Sequence, residues 1–242
     1  MITKVTSFDV FDTLITRIVG SPKDVFLVMQ GRMRSSIPSL SERFIRSFWG
    51  TRVWSEYAVR QGSEADDITL DDIYGYIGAR CLLSTDEMQS LRALELLVES
   101  EMLYPISGAG RLVDEARQQG DVVFVSDSYL PVTFIRGILI RYGILNPAEN
   151  LFVSGALGRS KRSGRLFLHI MKELKVPASS LTHFGDNIFS DVVVPRRLGM
   201  RVHAAASNPG LLQRFYMTYR ERGRYALELL RARRLVQDAV SD

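Results

Sequence analysis

Five short apolar stretches recur along this chain, separated mostly by segments of helical length. They are Ile2 to Phe8, Val122 to Val125, Leu151 to Val153, Leu181 to Phe184 and Val202 to Ala205. Stretches of this length and composition are typical of strands buried on both faces of a parallel sheet. Strands that alternate with helices pair in such a sheet, with helices on both of its faces. The sequence therefore predicts an α/β fold with a doubly wound, Rossmann-like parallel sheet.

Glycine and proline mark the ends of the helices expected between these strands. The predicted helices are Gly108 to Gln119, Val132 to Tyr142, Gly164 to Leu174 and Ser190 to Leu198. Gly120, Gly143 and Gly199 follow three of these helices, and Pro131 precedes the second. Glycine is favoured just after a helix and proline near its start, so these residues support the assigned ends.

A long interval without a strand pattern separates the first two predicted strands. It contains several amphipathic helical patterns, and Ser84 with Glu87 predicts a capping box at the start of one helix. The interval is longer than a simple crossover between parallel strands requires. We therefore predict an α/β core over 1–19 and 105–210, an inserted helical cap over 20–104, and a helical extension over 211–242.

Composition predicts the size of the core and the cellular location of the chain. With 242 residues and 46% hydrophobic content it can bury a core, and its single cysteine, Cys81, cannot form an internal disulfide. No charged and then apolar leader precedes the first predicted strand, so a cytoplasmic, reducing location is expected. The apolar stretches are far shorter than the roughly 20 residues of a membrane-spanning helix, so no span is expected.

Basic residues concentrate in the predicted C-terminal extension. Seven arginines lie between Arg214 and Arg234, interrupted by Glu221 and Glu228, in a chain of net charge +4. No nucleic-acid recognition motif accompanies them, so a solvated helix face or a docking surface for a protein partner is favoured over nucleic-acid binding, and we treat the extension as an interaction surface.

Polar residues with distinct chemistry follow the predicted strands. Asp9 and Ser126 come directly after the first and second strands, Lys161 follows the third, and Asp186 and Asp191 follow the fourth. Ligands of open parallel sheets bind beyond the carboxyl ends of the strands, so these side chains are expected to meet there. His183 lies within a predicted strand, where a core histidine is favoured over a catalytic one.

This set of residues predicts a carboxylate nucleophile supported by magnesium. A carboxylate and a phosphate ester repel each other, so such a site needs concentrated positive charge. Asp9, Asp186, Asp191 and the backbone carbonyl of Phe11 are the predicted Mg²⁺ site, in which Asp191 holds a metal-bound water or orients Lys161. Lys161 would neutralise charge on the nucleophile and the phosphoryl group, and Ser126 would donate a hydrogen bond to a phosphoryl oxygen.

Four motifs carry a resemblance to a known family. They are Ser7 to Leu14, Val125 to Asp127, Ser160 with Lys161, and Gly185 to Asp191. In kind and order they resemble the motifs of the haloacid dehalogenase-like (HAD) superfamily of aspartate-nucleophile hydrolases, from the first strand to about Pro209. The resemblance implies a HAD core with a cap and a magnesium-dependent hydrolase, with Asp9 as the nucleophile.

The first motif looks closer to one bacterial subgroup. Its pattern, Phe-Asp-x-Phe-Asp-Thr-Leu, resembles that of proteins that often accompany glycosyltransferases in surface-polysaccharide systems. The resemblance implies a phosphatase acting on a small phosphorylated metabolite, such as a sugar phosphate or nucleotide, with a glycosyltransferase as a possible partner. Thr13, Arg17, Asp127 and Asn187 are predicted to bind substrate, although Arg17 is equally well explained as a tie in the cap linker.

One position departs from the phosphatase pattern. Phe11 stands where phosphatases of the superfamily usually carry the general acid and base, and phenylalanine cannot transfer a proton. Asp12 either replaces that acid or caps the following turn. The dehalogenase branch also has a non-acidic aromatic here, but the acidic pair Asp186 and Asp191 favours phosphate-ester hydrolysis. A third hypothesis is a binding or regulatory module for a glycosyltransferase.

Overall fold

The computed structural model describes residues 4–205 of the chain. The predicted arginine-rich extension over 211–242 and the first residues of the first predicted strand lie outside this range. Within it, no helix is long and apolar enough to cross a membrane.

Five parallel strands form the main sheet, which confirms the predicted fold class. In chain order the strands are β1 (Val5–Asp9), β2 (Ile15–Arg17), β3 (Leu103–Pro105), β4 (Asp121–Ser126), β5 (Asn150–Val153), β6 (Leu181–Gly185) and β7 (Arg201–Ala204). The sheet has the order β5-β4-β1-β6-β7, and β2 pairs with β3 in a separate two-stranded sheet. The positions of β2 and β3 escaped prediction because three residues are too few to produce a periodic pattern.

Helices account for most of the remaining chain. They are α1 (Asp24–Ser36), α2 (Glu42–Gly62), α3 (Leu70–Cys81), α4 (Thr85–Met102), α5 (Ala109–Arg117), α6 (Val132–Arg141), α7 (Ser154–Leu157), α8 (Arg165–Leu174) and α9 (Val194–Arg197). A 3₁₀ turn spans Ala178–Ser180, and a π-helical segment spans Ile188–Val193. The capping box predicted from Ser84 and Glu87 is confirmed at the start of α4.

The helix predicted from Ser190 to Leu198 is instead divided in two. Its first part belongs to the π-helical segment Ile188–Val193, which Asn187 caps, and its second part is α9. Pro195 explains the division, because proline has no N–H to donate to the carbonyl of Asp191 four residues earlier. The acidic residue Asp191 therefore lies on an irregular helical turn rather than on a regular helix.

The described residues form two compact units. One contains the parallel sheet and comprises 4–16, 64–69 and 104–205, and the other contains the four helices α1 to α4 within 17–63 and 70–103. In the sheet unit, apolar side chains such as Val123, Val125, Leu166 and Phe167 pack into a buried core. The register pairs Asp9 with Val125 and Phe8 with Phe184, so β1, β4 and β6 end at the same edge of the sheet.

The helical unit is built around a buried ion pair. Arg52 and Glu95 are both fully buried, and two N–H groups of Arg52 donate to the two carboxylate oxygens of Glu95 at 2.8 Å each. The Tyr74 hydroxyl also donates to Glu95 at 2.7 Å, and the Arg52 guanidinium lies 4.3 Å from the centre of the Phe26 ring. This arrangement satisfies charges that would otherwise be costly to bury.

We expect Arg52→Met to destabilise the protein by about 3 to 5 kcal/mol, because it leaves the Glu95 carboxylate buried without its cation. Urea unfolding followed by circular dichroism measures the change. A double variant that also carries Glu95→Gln should recover part of the loss. Arg34→Met, which breaks the exposed pair with Glu42, is the control and should leave the unfolding midpoint unchanged. Equal effects of the two single variants would contradict a special role for the buried pair.

Candidate active site

Asp9 ends β1 as a buried carboxylate held by two neighbours. Its Oδ1 lies 2.5 Å from Nζ of Lys161, and its Oδ2 accepts a hydrogen bond from the Thr13 hydroxyl at 2.9 Å. The strand stops here because the chain turns back at once, with Leu14 N–H donating to Val10 C=O at 2.9 Å. Asp9 is only 5% exposed. The structure thus brings together three of the predicted residues, Asp9, Thr13 and Lys161.

The charges around Asp9 oppose one another. Burial raises the pKa of Asp9 to about 7, and the charge of Asp191 adds to the effect, although the ammonium of Lys161 opposes it. Burial would lower the pKa of Lys161, but the negative charges of Asp9, Asp191 and Asp127 prevail and raise the pKa above its usual value. Lys161 is therefore charged at neutral pH, and a further cation would favour the ionised form of Asp9.

Asp191 is fully enclosed by hydrogen-bond donors. Its Oδ1 lies 2.6 Å from Lys161 Nζ and 3.2 Å from His183 Nε2, and its Oδ2 accepts from the Asn187 N–H at 3.0 Å. Burial opposes its ionisation, but the hydrogen bond from His183 and the charge of Lys161 hold the pKa of Asp191 well below its usual range. Asp191 is thus an ionised group in contact with Lys161, and the two roles predicted for it, holding a metal-bound water or orienting Lys161, stay predictions.

Gly185 is required by the close approach of Asp191. A Cβ atom at position 185 would lie 2.5 Å from both Cβ and Cγ of Asp191, which is far inside van der Waals contact. The glycine of the Gly-Asp-Asn sequence, which is the last residue of β6, is therefore explained by packing against Asp191.

We expect Gly185→Ala to lower the rate of the hydrolysis predicted from the sequence by about 10-fold to 100-fold, because Asp191 must move and displace Lys161. The matched control is Gly137→Ala in α6, where no atom lies within 4 Å of the added methyl group. That substitution should leave turnover unchanged and raise stability slightly, since alanine is the better helix former. Unchanged turnover in Gly185→Ala would show that the position of Asp191 does not matter.

Three acidic side chains meet at the edge of the sheet. Asp9, Asp186 and Asp191 each place a carboxylate oxygen within 4.8 Å of the other two. Asp186 is half-buried, and burial raises its pKa, with further contributions from the charges of Asp12 and Asp191. Three carboxylates against one ammonium leave excess negative charge, and oxygen ligands of this type suit Mg²⁺. Since protein donors surround Asp191, Asp9 and Asp186 are the better placed of the three to contact a cation directly.

Ser126 ends β4 with a buried hydroxyl that has no partner among the described residues. Such a group costs free energy unless a ligand or water satisfies it. Ser126 lies one position beyond Val125, the register partner of Asp9, at the same edge of the sheet. The next residue, Asp127, accepts a hydrogen bond from the Lys161 backbone N–H at 2.8 Å and thereby holds the loop that carries the lysine.

Three other predicted residues are engaged in local structure. Arg17 donates to both carboxylate oxygens of Glu99, at 2.8 and 2.9 Å, which corresponds to the linker tie named as its alternative. The side-chain oxygen of Asn187 accepts from the N–H groups of Phe189 and Ser190, so it caps the π-helical segment. Asp12 has a left-handed backbone, with φ of 60°, and accepts a hydrogen bond from the Thr16 hydroxyl at 2.7 Å. Their roles toward substrate, and the metal role of the Phe11 carbonyl, stay predictions.

The sequence pattern did not reveal the part played by Asp66. This residue lies between α2 and α3 but belongs to the sheet unit. Its carboxylate accepts from the Ser163 hydroxyl at 2.6 Å, from Arg165 at 2.9 Å and from the Ser160 N–H at 3.2 Å. A short acidic segment in a long helical interval gives no periodic signal that would point to these distant partners. Asp66 therefore fixes the loop that carries Lys161 from a separate part of the chain.

Comparison with solved structures identifies the fold of this chain, whereas comparison with protein sequences finds no match. No protein-family model and no curated protein sequence matches the chain. Among solved structures, the chain is similar to the 2-haloacid dehalogenase from Pseudomonas syringae pv. Tomato DC3000, with a TM-score of 0.58 and 17% identity over 84% of this chain and 85% of that one.

Two further structures share this fold. The putative HAD hydrolase YfnB from Bacillus subtilis, bound to magnesium, gives a TM-score of 0.55 and 17% identity over 84% of this chain and 88% of that one. A HAD family enzyme from Bacteroides thetaiotaomicron, in complex with magnesium and inorganic phosphate, gives a TM-score of 0.54 and 12% identity over 87% of this chain and 98% of that one. At these identities the similarity shows the fold of HAD hydrolases.

Proposed function

We propose that this chain is a HAD-superfamily, Mg²⁺-dependent hydrolase that uses Asp9 as its nucleophile and acts as a phosphatase on a small phosphorylated metabolite. The observation that carries the proposal is the buried, unpartnered hydroxyl of Ser126 at the same sheet edge as Asp9 and Lys161. A phosphoryl oxygen is an acceptor that would satisfy this donor. The magnesium and inorganic phosphate bound by the enzyme from Bacteroides thetaiotaomicron support the same chemistry on this fold.

In the proposed reaction an oxygen of Asp9 attacks phosphorus, the bond from phosphorus to the leaving oxygen breaks, and the leaving oxygen takes up a proton from solvent. Lys161 holds Asp9 Oδ1 at 2.5 Å and Thr13 holds Oδ2 at 2.9 Å, which fixes the carboxylate for attack. Water then attacks the aspartyl-phosphate and releases phosphate, which regenerates Asp9. A bound Mg²⁺, held by Asp9 and Asp186 with the Phe11 carbonyl, would offset the negative charge that gathers in both steps.

Haloacid dehalogenation is the second candidate, because Phe11 stands where phosphatases of the superfamily usually carry their general acid, and phenylalanine cannot transfer a proton. The similar structure from Pseudomonas syringae is a dehalogenase of this fold. The acidic cluster argues for the phosphatase, since three carboxylates would repel a haloacid carboxylate unless a cation neutralised them. A catalytically weak module bound to a glycosyltransferase, through the arginine-rich extension, is the third candidate.

The wider setting is also part of the proposal. The Phe-Asp-x-Phe-Asp-Thr-Leu motif supports a role in bacterial surface-polysaccharide metabolism in the cytoplasm, with a sugar phosphate or nucleotide as substrate.

A phosphatase screen with and without Mg²⁺ tests the proposal. We expect phosphate release from sugar phosphates, nucleotides or an activated aryl phosphate, and loss of that release when EDTA removes the metal. Chloride release from 2-chloropropionate without metal would favour the dehalogenase instead. Magnesium binding, measured by calorimetry, without turnover of any substrate would favour the binding module.

A further inference from the structure

A chain of buried polar groups extends from the proposed nucleophile into the core of the sheet. His183 on β6 and Ser7 on β1 are both fully buried and lie opposite each other in the sheet register. Ser7 Oγ is 2.9 Å from His183 Nδ1, and His183 Nε2 is 3.2 Å from Asp191 Oδ1. The same oxygen of Asp191 lies 2.6 Å from Lys161 Nζ, which contacts Asp9. Five side chains are thus joined from the core to the site.

The partners of His183 determine which ring nitrogen carries its proton. The Asp191 carboxylate can only accept hydrogen bonds, so Nε2 must be the donor in that contact. In the neutral ring Nδ1 is then an acceptor, and the Ser7 hydroxyl donates to it at 2.9 Å in preference to the Thr182 carbonyl oxygen at 3.4 Å. Burial lowers the pKa of His183, which agrees with a neutral ring. Asp191 therefore selects the tautomer of His183, and the Ser7 hydroxyl, which can donate or accept, complements that tautomer by donating to Nδ1.

We infer that His183 and Ser7 are positioning residues for the reaction: the Nε2–H of His183 holds Asp191 where it fixes Lys161 against Asp9. This inference rests on the proposed function of the Asp9 site. Without the His183 donor, Asp191 keeps the contacts of Lys161 and the Asn187 N–H but loses the one that comes from the sheet. Lys161 would then sample positions in which Asp9 is no longer held for attack.

Packing is the alternative explanation for a buried histidine at this position. The His183 ring meets the Phe167 ring edge to face, with 4.9 Å between centroids. Packing alone would be largely preserved by an apolar side chain of similar size. Hydrogen bonding to Asp191 would be preserved instead by glutamine, whose amide nitrogen reaches about as far as Nε2. The two roles therefore respond differently to two substitutions at the same residue.

Kinetics of His183→Leu and His183→Gln distinguish the roles, together with urea unfolding of both variants. We expect His183→Leu to lower kcat by about 10-fold to 100-fold with little change in KM, which is the usual scale for groups that orient a site residue. His183→Gln should recover most of kcat. Ser7→Ala should lower kcat by a smaller factor. The matched control is His203→Gln, at an exposed histidine of β7. Equal losses in Leu and Gln variants that remain folded would overturn the inference.

Nitrogen NMR of ¹⁵N-histidine-labelled protein gives a readout that needs no turnover. The chain has three histidines, so the His183 signals follow from the spectra of the His183→Gln and His203→Gln variants. We expect a neutral ring with the proton on Nε2 at pH 7, and a change of this signature in Asp191→Asn. A neutral ring with its proton on Nδ1 would overturn the inference, because Nε2 could then not donate to Asp191. If the tautomer is as expected but the wild type lacks phosphatase activity, the proposed function has failed and the hydrogen-bond chain has not.

Discussion

Asp9→Asn should abolish phosphate release, with kcat reduced by a factor on the order of 10⁴ or more, because an amide oxygen does not form the acyl-phosphate. The substitution keeps the shape of the side chain and its place at the end of β1. It also removes the charge that pairs with Lys161 at 2.5 Å, whereas the pairing of the ammonium with Asp191 at 2.6 Å is kept. Stopped assays with the best substrate of the screen measure the loss.

The matched control is Asp121→Asn, at the opposite end of a neighbouring strand. Asp121 begins β4 and is exposed, whereas Asp9 ends β1 and is buried. The control should keep full activity, and both variants should retain wild-type circular dichroism. Equal phosphate release by wild type and Asp9→Asn would exclude Asp9 as the nucleophile. Incubation of wild type with ³²P-labelled substrate and acid quenching should trap label on the protein, and Asp9→Asn should trap none.

The sequence predicts the strands of the main sheet well and the irregular helical turn at 188–193 poorly. The five main strands are predictable because each contains a short apolar stretch; in Asp121–Ser126 only the first residue is exposed, whereas Arg201–Ala204 is mostly exposed. The helical turn at 188–193 was misjudged because the effect of Pro195 on the preceding hydrogen bonds is not visible in an apolar pattern. Local patterns thus gave the sheet but not the irregular turn that carries Asp191.

Site residues at the ends of strands could be predicted from the sequence. Contacts between segments that are distant in the chain could not. Asp9 and Ser126 are the last residues of parallel strands and Asp186 directly follows one, and topology alone brings those strand ends together. His183 was assigned to the core, which its burial supports, but its bond to Asp191 depends on the turn after β6. Asp66 reaches the Lys161 loop from 94 positions away in sequence, a contact that no spacing rule contains.

Phe11 is the position where one substitution should improve the proposed enzyme. Residues 9 and 11 are two apart, so on extended backbone their side chains share a face, whereas residue 12 does not. Asp12 also adopts a left-handed backbone and binds the Thr16 hydroxyl, which ties its carboxylate to the turn. The half-buried Phe11 stands at the position that the family resemblance assigns to proton transfer, and its side chain has no proton to transfer.

We expect Phe11→Asp to raise kcat on alkyl phosphates by about 10²-fold or more, because a general acid typically contributes 10² to 10⁴ in rate. Activated aryl phosphates should gain little, since their leaving groups depart without a proton. The measurement is a series of substrates with leaving groups of increasing pKa, in which the slope of log kcat should become flatter. Phe11→Asn is the matched control, as it has the same shape but transfers no proton. A rise of equal size in Phe11→Asn would assign the gain to space or polarity, and no rise in either variant would mean that Asp12 or water already supplies the proton.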